Sequence, residues 1–118
     1  MRTFGTHGTN RGQFDKPYYI HITRDNRVLV SDCSNHRVQV FDTSGVFVQM
    51  FGREGTNPGE FKYPRGITTD HEGFILVADS GNSRVQVFRS DGAYVTHFGG
   101  AGTDSGRFLL KNSSFKLF

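Results

Sequence analysis

Short apolar runs separated by turn residues dominate the chain, and none has the spacing of an amphipathic helix. In the second half the turn pairs Glu72-Gly73 and Asp91-Gly92 interrupt segments rich in Val, Ile, Phe and Tyr. Glycine accepts a positive φ, so both pairs favour hairpin turns. The predicted strands of this half are 66–69, 74–78, 84–88 and 94–98.

Two of these runs, "ILVAD" and "RVQVF", are apolar at nearly every position and do not alternate cleanly between apolar and polar residues. A strand of this kind belongs to a sheet whose two faces are both covered. We therefore expect each sheet to pack against neighbours on both sides.

The chain repeats itself with a period of 47 residues. Phe4-Gly5 recurs as Phe51-Gly52 and as Phe98-Gly99, and 20 of 47 positions are identical when residues 4–50 are aligned on 51–97. A third copy matches through Phe108 and then diverges. The predicted units are 4–50, 51–97 and a truncated start with a divergent tail, 98–118.

Four strands in about 47 residues, repeated in tandem, are typical of β-propeller blades. The predicted fold class is all-β, with four-stranded antiparallel blades in a partial propeller. The motif Asn35-His36-Arg37, followed by "VQVF", resembles the NHL repeat, and the second copy reads Asn82-Ser83-Arg84. The resemblance covers residues 4–108 and is most similar to the C-terminal propellers of tripartite-motif (TRIM-NHL) proteins.

This resemblance implies a six-bladed ring, of which the chain would supply about two and a half blades. We therefore expect a fragment or a chain that must associate, either with neighbouring blades of a parent chain or with itself. Uncovered apolar faces and sheet edges predict marginal stability or association.

Charge and cysteine content restrict the function only weakly. The formal net charge of +3 permits an acidic partner such as a nucleic acid. A single cysteine, Cys33, excludes an intramolecular disulfide and fits a reducing compartment. No apolar run approaches the roughly 20 residues that cross a bilayer. The expected location is cytoplasmic, without membrane association.

A carboxylate and an arginine stand five residues apart in each copy, as Asp32 with Arg37 and as Asp79 with Arg84. They could form an acid–base or cation site. Because the arrangement recurs in every copy, a structural ion pair that braces the loop is the favoured interpretation.

No metal or cofactor site is predicted, because neither the five histidines nor Cys33 has the spacing of a zinc site. Arg37 is the expected cationic neighbour of Cys33, which is predicted to be inert. His36 is expected to face solvent in its loop.

Residues that vary inside the repeated frame are the candidates for recognition. Directly after each proline stand Tyr18 in the first copy and Arg65 in the second, and these residue types stack on bases and contact phosphates. In TRIM-NHL relatives this end of the propeller binds single-stranded or hairpin RNA. The weaker candidates beside them are Lys16, Lys62 and Tyr63.

The leading hypothesis is a non-catalytic module that recognises RNA, protein or both. It would be the target-recognition part of a TRIM-type ubiquitin ligase and post-transcriptional regulator, whose RING finger lies outside this chain. One alternative is a protein–protein scaffold only. Another is a metal-dependent propeller similar to the peptidylamidoglycolate lyases, which the single cysteine disfavours.

Overall fold

A computed structural model describes residues 5–99 of the chain. Within this range the protein is all-β and contains two four-stranded sheets, one two-stranded pair and two 3-10 turns. The short pair is β1 (Thr6–His7) with β2 (Gln13–Phe14). The first sheet is β3 (Pro17–Ile22), β4 (Arg27–Asp32), β5 (Arg37–Asp42) and β6 (Phe47–Phe51), and the second is β7 (Pro64–Thr69), β8 (Ile75–Asp79), β9 (Arg84–Phe88) and β10 (Tyr94–Gly99).

Each four-stranded sheet is an antiparallel meander in which strands adjacent in sequence are adjacent in space. The four strands predicted in the second copy are confirmed, with β7 starting two residues earlier, at Pro64. The segment between β8 and β9, expected to be a loop, contains the 3-10 turn Ser80–Asn82. Its counterpart in the first sheet is Cys33–Asn35.

The hairpin turns have the backbone conformation that their residues predict. Asn26 and Gly73 occupy the same position of the repeat and have φ values of 65° and 90°. Gly45 and Gly92 both have φ of 89°. Only glycine and a few polar residues adopt this region at low cost, so the sequence specifies these turns locally.

The main core lies between the two sheets. Phe61, from the segment that connects them, is fully buried and its ring centroid lies 5.5 Å from that of Phe88. Phe51 adds a third ring 4.7 Å from Phe88. The remaining members are Leu29, Val38, Val40, Ile67, Ile75 and Val77. Burial of this cluster is the principal apolar stabilisation between the sheets.

A second cluster covers the opposite face of the first sheet. It contains Phe14, Val28, Val30 and Phe41, with Phe47 packed against them. The ring centroids of Phe14 and Phe41 lie 5.7 Å apart, close to the 5.5 Å between their counterparts Phe61 and Phe88 in the next repeat. Both faces of the first sheet are therefore apolar, as the non-alternating strands predict.

A buried carboxylate organises each sheet. Asp79 has no exposed surface and accepts hydrogen bonds from Arg84 Nε (2.8 Å), Gln86 Nε2 (3.0 Å), Asn82 Nδ2 (3.0 Å) and the Lys62 backbone N–H (2.7 Å). The same four bonds recur around Asp32, where the Arg37 Nε–Oδ2 distance is 2.7 Å. We call each set a brace, defined by Asp32, Arg37, Gln39 and Asn35, and by Asp79, Arg84, Gln86 and Asn82.

Each brace also fixes the connecting segment that runs across its sheet. The Arg84 guanidinium donates to the carbonyl oxygens of Thr56 (3.0 Å), Asn57 (2.9 Å) and Glu60 (2.9 Å). These carbonyls belong to a segment without regular strand pairing, so a side chain must satisfy them. Gln86 binds the same segment at both ends of its amide, because it accepts from Gly59 N–H and donates to Glu60 O.

Replacing Arg84 by methionine tests the energetic weight of the brace. Arg84→Met leaves the Asp79 carboxylate buried without its cation, and we expect a loss of about 3–5 kcal/mol in the free energy of unfolding, measured with urea. Arg53→Met is the matched control, because Arg53 also pairs with a carboxylate (Glu60, 3.0 Å) but is exposed. Equal losses in the two variants would contradict a dominant role for the brace.

A pair of glycine variants separates backbone strain from crowding. Gly52 and Gly73 have φ of 97° and 90°, so alanine strains both. A Cβ at Gly52 would overlap the Phe61 ring, whereas one at Gly73 would meet nothing. We expect Gly52→Ala to lower the unfolding free energy by roughly 1–3 kcal/mol more than Gly73→Ala. Thermal unfolding of both variants measures this difference, and equal losses would show that Phe61 moves freely.

Candidate binding face at the start of the inner strands

The five candidate residues lie at the end of the molecule where β3 and β7 begin. Lys16 and Tyr18 flank Pro17, while Lys62, Tyr63 and Arg65 flank Pro64. We call this group of five the candidate face. The structure brings some of its members into contact and holds others apart.

Tyr18 and Arg65 are in direct contact across the two sheets. The Arg65 guanidinium carbon lies 4.8 Å from the centroid of the Tyr18 ring, within the range of a cation–π interaction. Tyr18 is 51% exposed. Arg65 Nε is buried and has no hydrogen-bond partner among residues 5–99. The pair therefore presents an exposed aromatic ring beside a partly exposed guanidinium.

Cys33 lies beneath this pair and is buried. Burial raises the pKa of its thiol, whereas the Arg65 charge, an Arg65 hydrogen bond and the Lys16 charge act in the opposite direction. The expectation that Arg37 is the neighbouring cation is wrong, because Arg37 is committed to Asp32. The cation comes from the other sheet, through the packing of β7 against the first sheet.

The residues before the two prolines are held in an unusual backbone conformation. Lys16 and Tyr63 occupy equivalent positions and have φ of 56° and 53°. Such conformations cost of order 1–3 kcal/mol and persist only where the surroundings fix them. The Cys33 backbone N–H donates to Lys16 O at 3.3 Å, which ties this turn to the 3-10 turn beside it.

Tyr63 is paired with His36 rather than with Tyr18 and Arg65. Its ring centroid lies 4.6 Å from that of His36, and its backbone N–H donates to His36 Nδ1 at 3.1 Å. The expectation that His36 faces solvent is wrong, since it is only 9% exposed. Histidine suits this position because its ring nitrogen Nδ1 can accept the hydrogen bond from the Tyr63 backbone N–H.

Lys62 stands apart from the other basic residues, against the 3-10 turn of the second sheet. Its carbonyl accepts from the Gly81 backbone N–H at 2.7 Å, and a Cβ at Gly81 would come within 2.6 Å of the Lys62 Cβ. The close approach of the two backbones explains the glycine. Lys62 is half-buried and lies two residues before β7.

The hairpin turns at the opposite end of the sheets carry charged residues of both signs. Asp42, Asp70 and Asp91 each accept backbone hydrogen bonds within their own hairpin turns. These bonds lower the pKa of Asp42, with the Val46 N–H making the largest contribution. A cleft of about 650 Å³ lies between the sheets at this end, with Leu29, Val40 and Ile75 among its apolar lining residues.

Across residues 5–99, no three His, Cys, Asp or Glu side chains are grouped so that they could hold a metal ion. That part of the chain also contains no helix of the length and apolarity needed to span a membrane. The buried carboxylates of Asp32 and Asp79 accept hydrogen bonds from the arginines of their braces.

Sequence reasoning missed three parts of this end of the molecule. A signal for the brace glutamines Gln39 and Gln86 was present, because glutamine is the one uncharged polar residue in both copies of "RVQVF". The contacts of Cys33 with Arg65 and of His36 with Tyr63 join residues from different repeats. No local spacing signals them.

Comparison with known proteins agrees with this architecture. A family model described as a 6-bladed beta-propeller matches residues 9–73, and the NHL repeat model matches residues 61–88. The chain belongs to the six-bladed β-propeller family, and its residues 61–88 are similar to an NHL repeat. Each four-stranded sheet is therefore one blade. A crystal structure of a Bacteroides fragilis protein shares the fold, with a TM-score of 0.63 and 24% identity over 80% of this chain and 27% of that one.

Three curated relatives match shorter segments of this propeller. "Protein brain tumor" of Drosophila melanogaster is 41% identical over 44 residues, and "Protein lin-41" of Caenorhabditis elegans is 44% identical over 46. Mouse "E3 ubiquitin-protein ligase TRIM32" is 36% identical over 45 residues. The matches cover 37%, 39% and 38% of this chain but only 4%, 4% and 7% of the relatives.

The environment of Cys33 predicts a poorly reactive thiol. Because burial raises its pKa, we expect the alkylation rate to reach half its plateau at a higher pH in the folded chain than in urea. Arg65→Met removes an opposing charge and should move the native midpoint higher still. Iodoacetamide labelling across pH, followed by mass spectrometry, measures both midpoints. A native midpoint at or below the unfolded one would contradict the assigned environment.

Proposed function

We propose that this propeller segment is a non-catalytic module that recognises single-stranded or hairpin RNA through the candidate face. The observation that carries the proposal is the Tyr18–Arg65 pair, in which an exposed ring and a guanidinium lie 4.8 Å apart. Every base has a π-face that an aromatic ring can stack on, and arginine contacts the phosphates on either side.

The charges around this pair support an anionic ligand. Lys16 is exposed close to Tyr18, and the half-buried Lys62 adds a further cation before β7. The large buried charges nearby do not oppose it, because Asp32 and Asp79 are neutralised within their braces. The hairpin turns at the other end of the sheets contain more carboxylates than arginines, and this small acidic excess favours the approach of a polyanion to the candidate face.

Protein recognition is the second candidate. Glu54 and Asp15 lie at the same end as the candidate face, so its surface is not uniformly basic. The cleft at the opposite end combines an apolar floor with charged residues of both signs, which is suited to a peptide. Binding of a protein partner releases no condensed counterions from a polyanion, so its affinity should depend less steeply on salt than that of RNA.

The relatives extend this proposal to a longer protein. One is named an E3 ubiquitin-protein ligase, and this chain aligns with 7% of its length. We propose that the propeller selects targets for such a ligase in the cytoplasm, while the transfer of ubiquitin is carried out by another domain. This assignment makes the module itself non-enzymatic.

Titration of the 118-residue chain with a pool of single-stranded RNA at two salt concentrations tests RNA binding. If the chain contacts phosphates, the affinity should fall as the salt concentration rises. Arg65→Glu should reduce the slope of log affinity against log salt concentration by roughly 0.7, because one phosphate contact is lost. Tyr18→Ala should weaken binding by about 1–3 kcal/mol through lost stacking.

Arg89→Glu is the matched control, because Arg89 is exposed at the opposite end of the second sheet. It makes the same charge change without touching the candidate face. Equal effects of Arg65→Glu and Arg89→Glu would show that only net charge matters. Absence of RNA binding, or binding without salt dependence, would overturn the RNA proposal.

A further inference from the structure

One additional hydrogen bond distinguishes the brace of the first sheet from that of the second. Among residues 5–99, the Arg37 guanidinium donates five hydrogen bonds and the Arg84 guanidinium donates four. Four bonds correspond in the two braces, and they go to the aspartate and to three carbonyl oxygens of the connecting segment. The fifth runs from Arg37 Nη1 to the sulfur of Met50, over 3.6 Å. His97 stands at the equivalent position of the second repeat.

Met50 is also the more accessible of the two sulfur-containing residues that the structure describes. It lies on β6 and is 40% exposed, whereas Cys33 is 2% exposed. Burial raises the pKa of the Cys33 thiol, which reduces its reactive thiolate form. A thioether needs no deprotonation before it reacts. An oxidant in solution therefore reaches the Met50 sulfur before that of Cys33.

We propose that Met50 is a modification site, where a peroxide oxidises the thioether to the sulfoxide and Arg37 holds the product. A lone pair of the sulfur attacks one oxygen of hydrogen peroxide, so that the S–O bond forms as the O–O bond breaks. The second oxygen takes the proton of the transferred one and leaves as water. The sulfur loses two electrons, and the peroxide gains them.

The hydrogen bond from Arg37 makes the two lone pairs of the Met50 sulfur inequivalent. One lone pair faces Nη1, and the other is open to the oxidant. Because a sulfoxide sulfur is a stereocentre, attack on the open lone pair gives one epimer in excess. In an unfolded chain both lone pairs are equally open, so the excess depends on the folded contact with Arg37.

The product binds Arg37 more strongly than the thioether does. A thioether sulfur is a weak acceptor, whereas the new oxygen is a polar one and its bond to a guanidinium is charge-assisted. The methionine side chain has three rotatable bonds, so a rotation brings this oxygen to the same Nη1. Arg37 holds Asp32 and the connecting segment. Oxidation at this position therefore strengthens the brace, in contrast to its disruptive effect in an apolar core.

Peroxide treatment of the full chain, followed by tryptic digestion, tests the site. Cys33→Ser provides the background, because Ser80 occupies the equivalent position and serine is not oxidised. Trypsin releases the peptide 38–53, which contains Met50 and no other methionine. This peptide should gain one oxygen. Its epimers should differ by about threefold or more, as expected when a hydrogen bond orients the sulfur.

The two classes of methionine sulfoxide reductase measure the epimer ratio, because each class reduces one epimer. Oxidation in urea should give the two epimers in nearly equal amounts. Equal amounts from the folded chain would overturn the role of Arg37. A peptide 38–53 that stays unoxidised while the peptide containing Met1 is oxidised would overturn the site itself.

The stability of the oxidised chain tests the bond to the product. After peroxide treatment, the Cys33→Ser chain should unfold at a urea concentration higher by roughly 0.5 M, since one hydrogen bond to a charged group is strengthened. The same chain carrying Met50→Leu should show no shift after treatment, which excludes effects of Met1. A lower midpoint for the oxidised chain would contradict the proposed bond.

A glutamine at this position imitates the sulfoxide without oxidation. Met50→Gln supplies a fixed carbonyl oxygen, and it should unfold at a higher urea concentration than Met50→Leu. Val48 is the matched control position, because it is 41% exposed and lies two residues earlier on the same strand. Val48→Gln should be no more stable than Val48→Leu. An equal gain from glutamine at the two positions would show that polarity on β6, and not Arg37, is responsible.

Discussion

The structure depends on one buried interaction, the pairing of a fully buried aspartate with the arginine five residues later. The Arg84 guanidinium and the amide donors around it compensate the burial of the Asp79 carboxylate, which is costly for an unpaired charge. The other nitrogens of Arg84 reach the carbonyls of the irregular segment that crosses the sheet. That segment delivers Phe61 to the core, so the brace also determines how the two sheets are spaced.

The brace leaves the neighbouring surface free to vary. Its bonds hold the backbone before each proline, and the residues that follow are not part of them. The same backbone therefore carries Tyr18 in one repeat and Arg65 in the next. Recognition chemistry can be placed there without disturbing the core, which is why the candidate face and the stabilising network lie side by side but share no side chains.

The internal repeat also shows what a blade lacks when it has no neighbour. Ile67 is covered and Ile20 is not, although the two occupy equivalent positions. A four-stranded sheet with two apolar faces cannot shield both of them itself, so its stability depends on the blades beside it. The cover that one blade gives its neighbour is thus part of the same hydrophobic constraint that forms the core.

The sequence alone determined the all-β class, the strands, the turn positions and the aspartate–arginine pair of each brace. These features are local or repeat with a fixed period: Asn26 and Gly73 specify their turns, and Asp79 and Arg84 are only five residues apart. Only the tertiary structure decided which cation lies beside Cys33 and that His36 is buried beneath Tyr63. Those contacts join side chains from different sheets, and they arise from the way two sheets pack, for which a single repeat contains no signal.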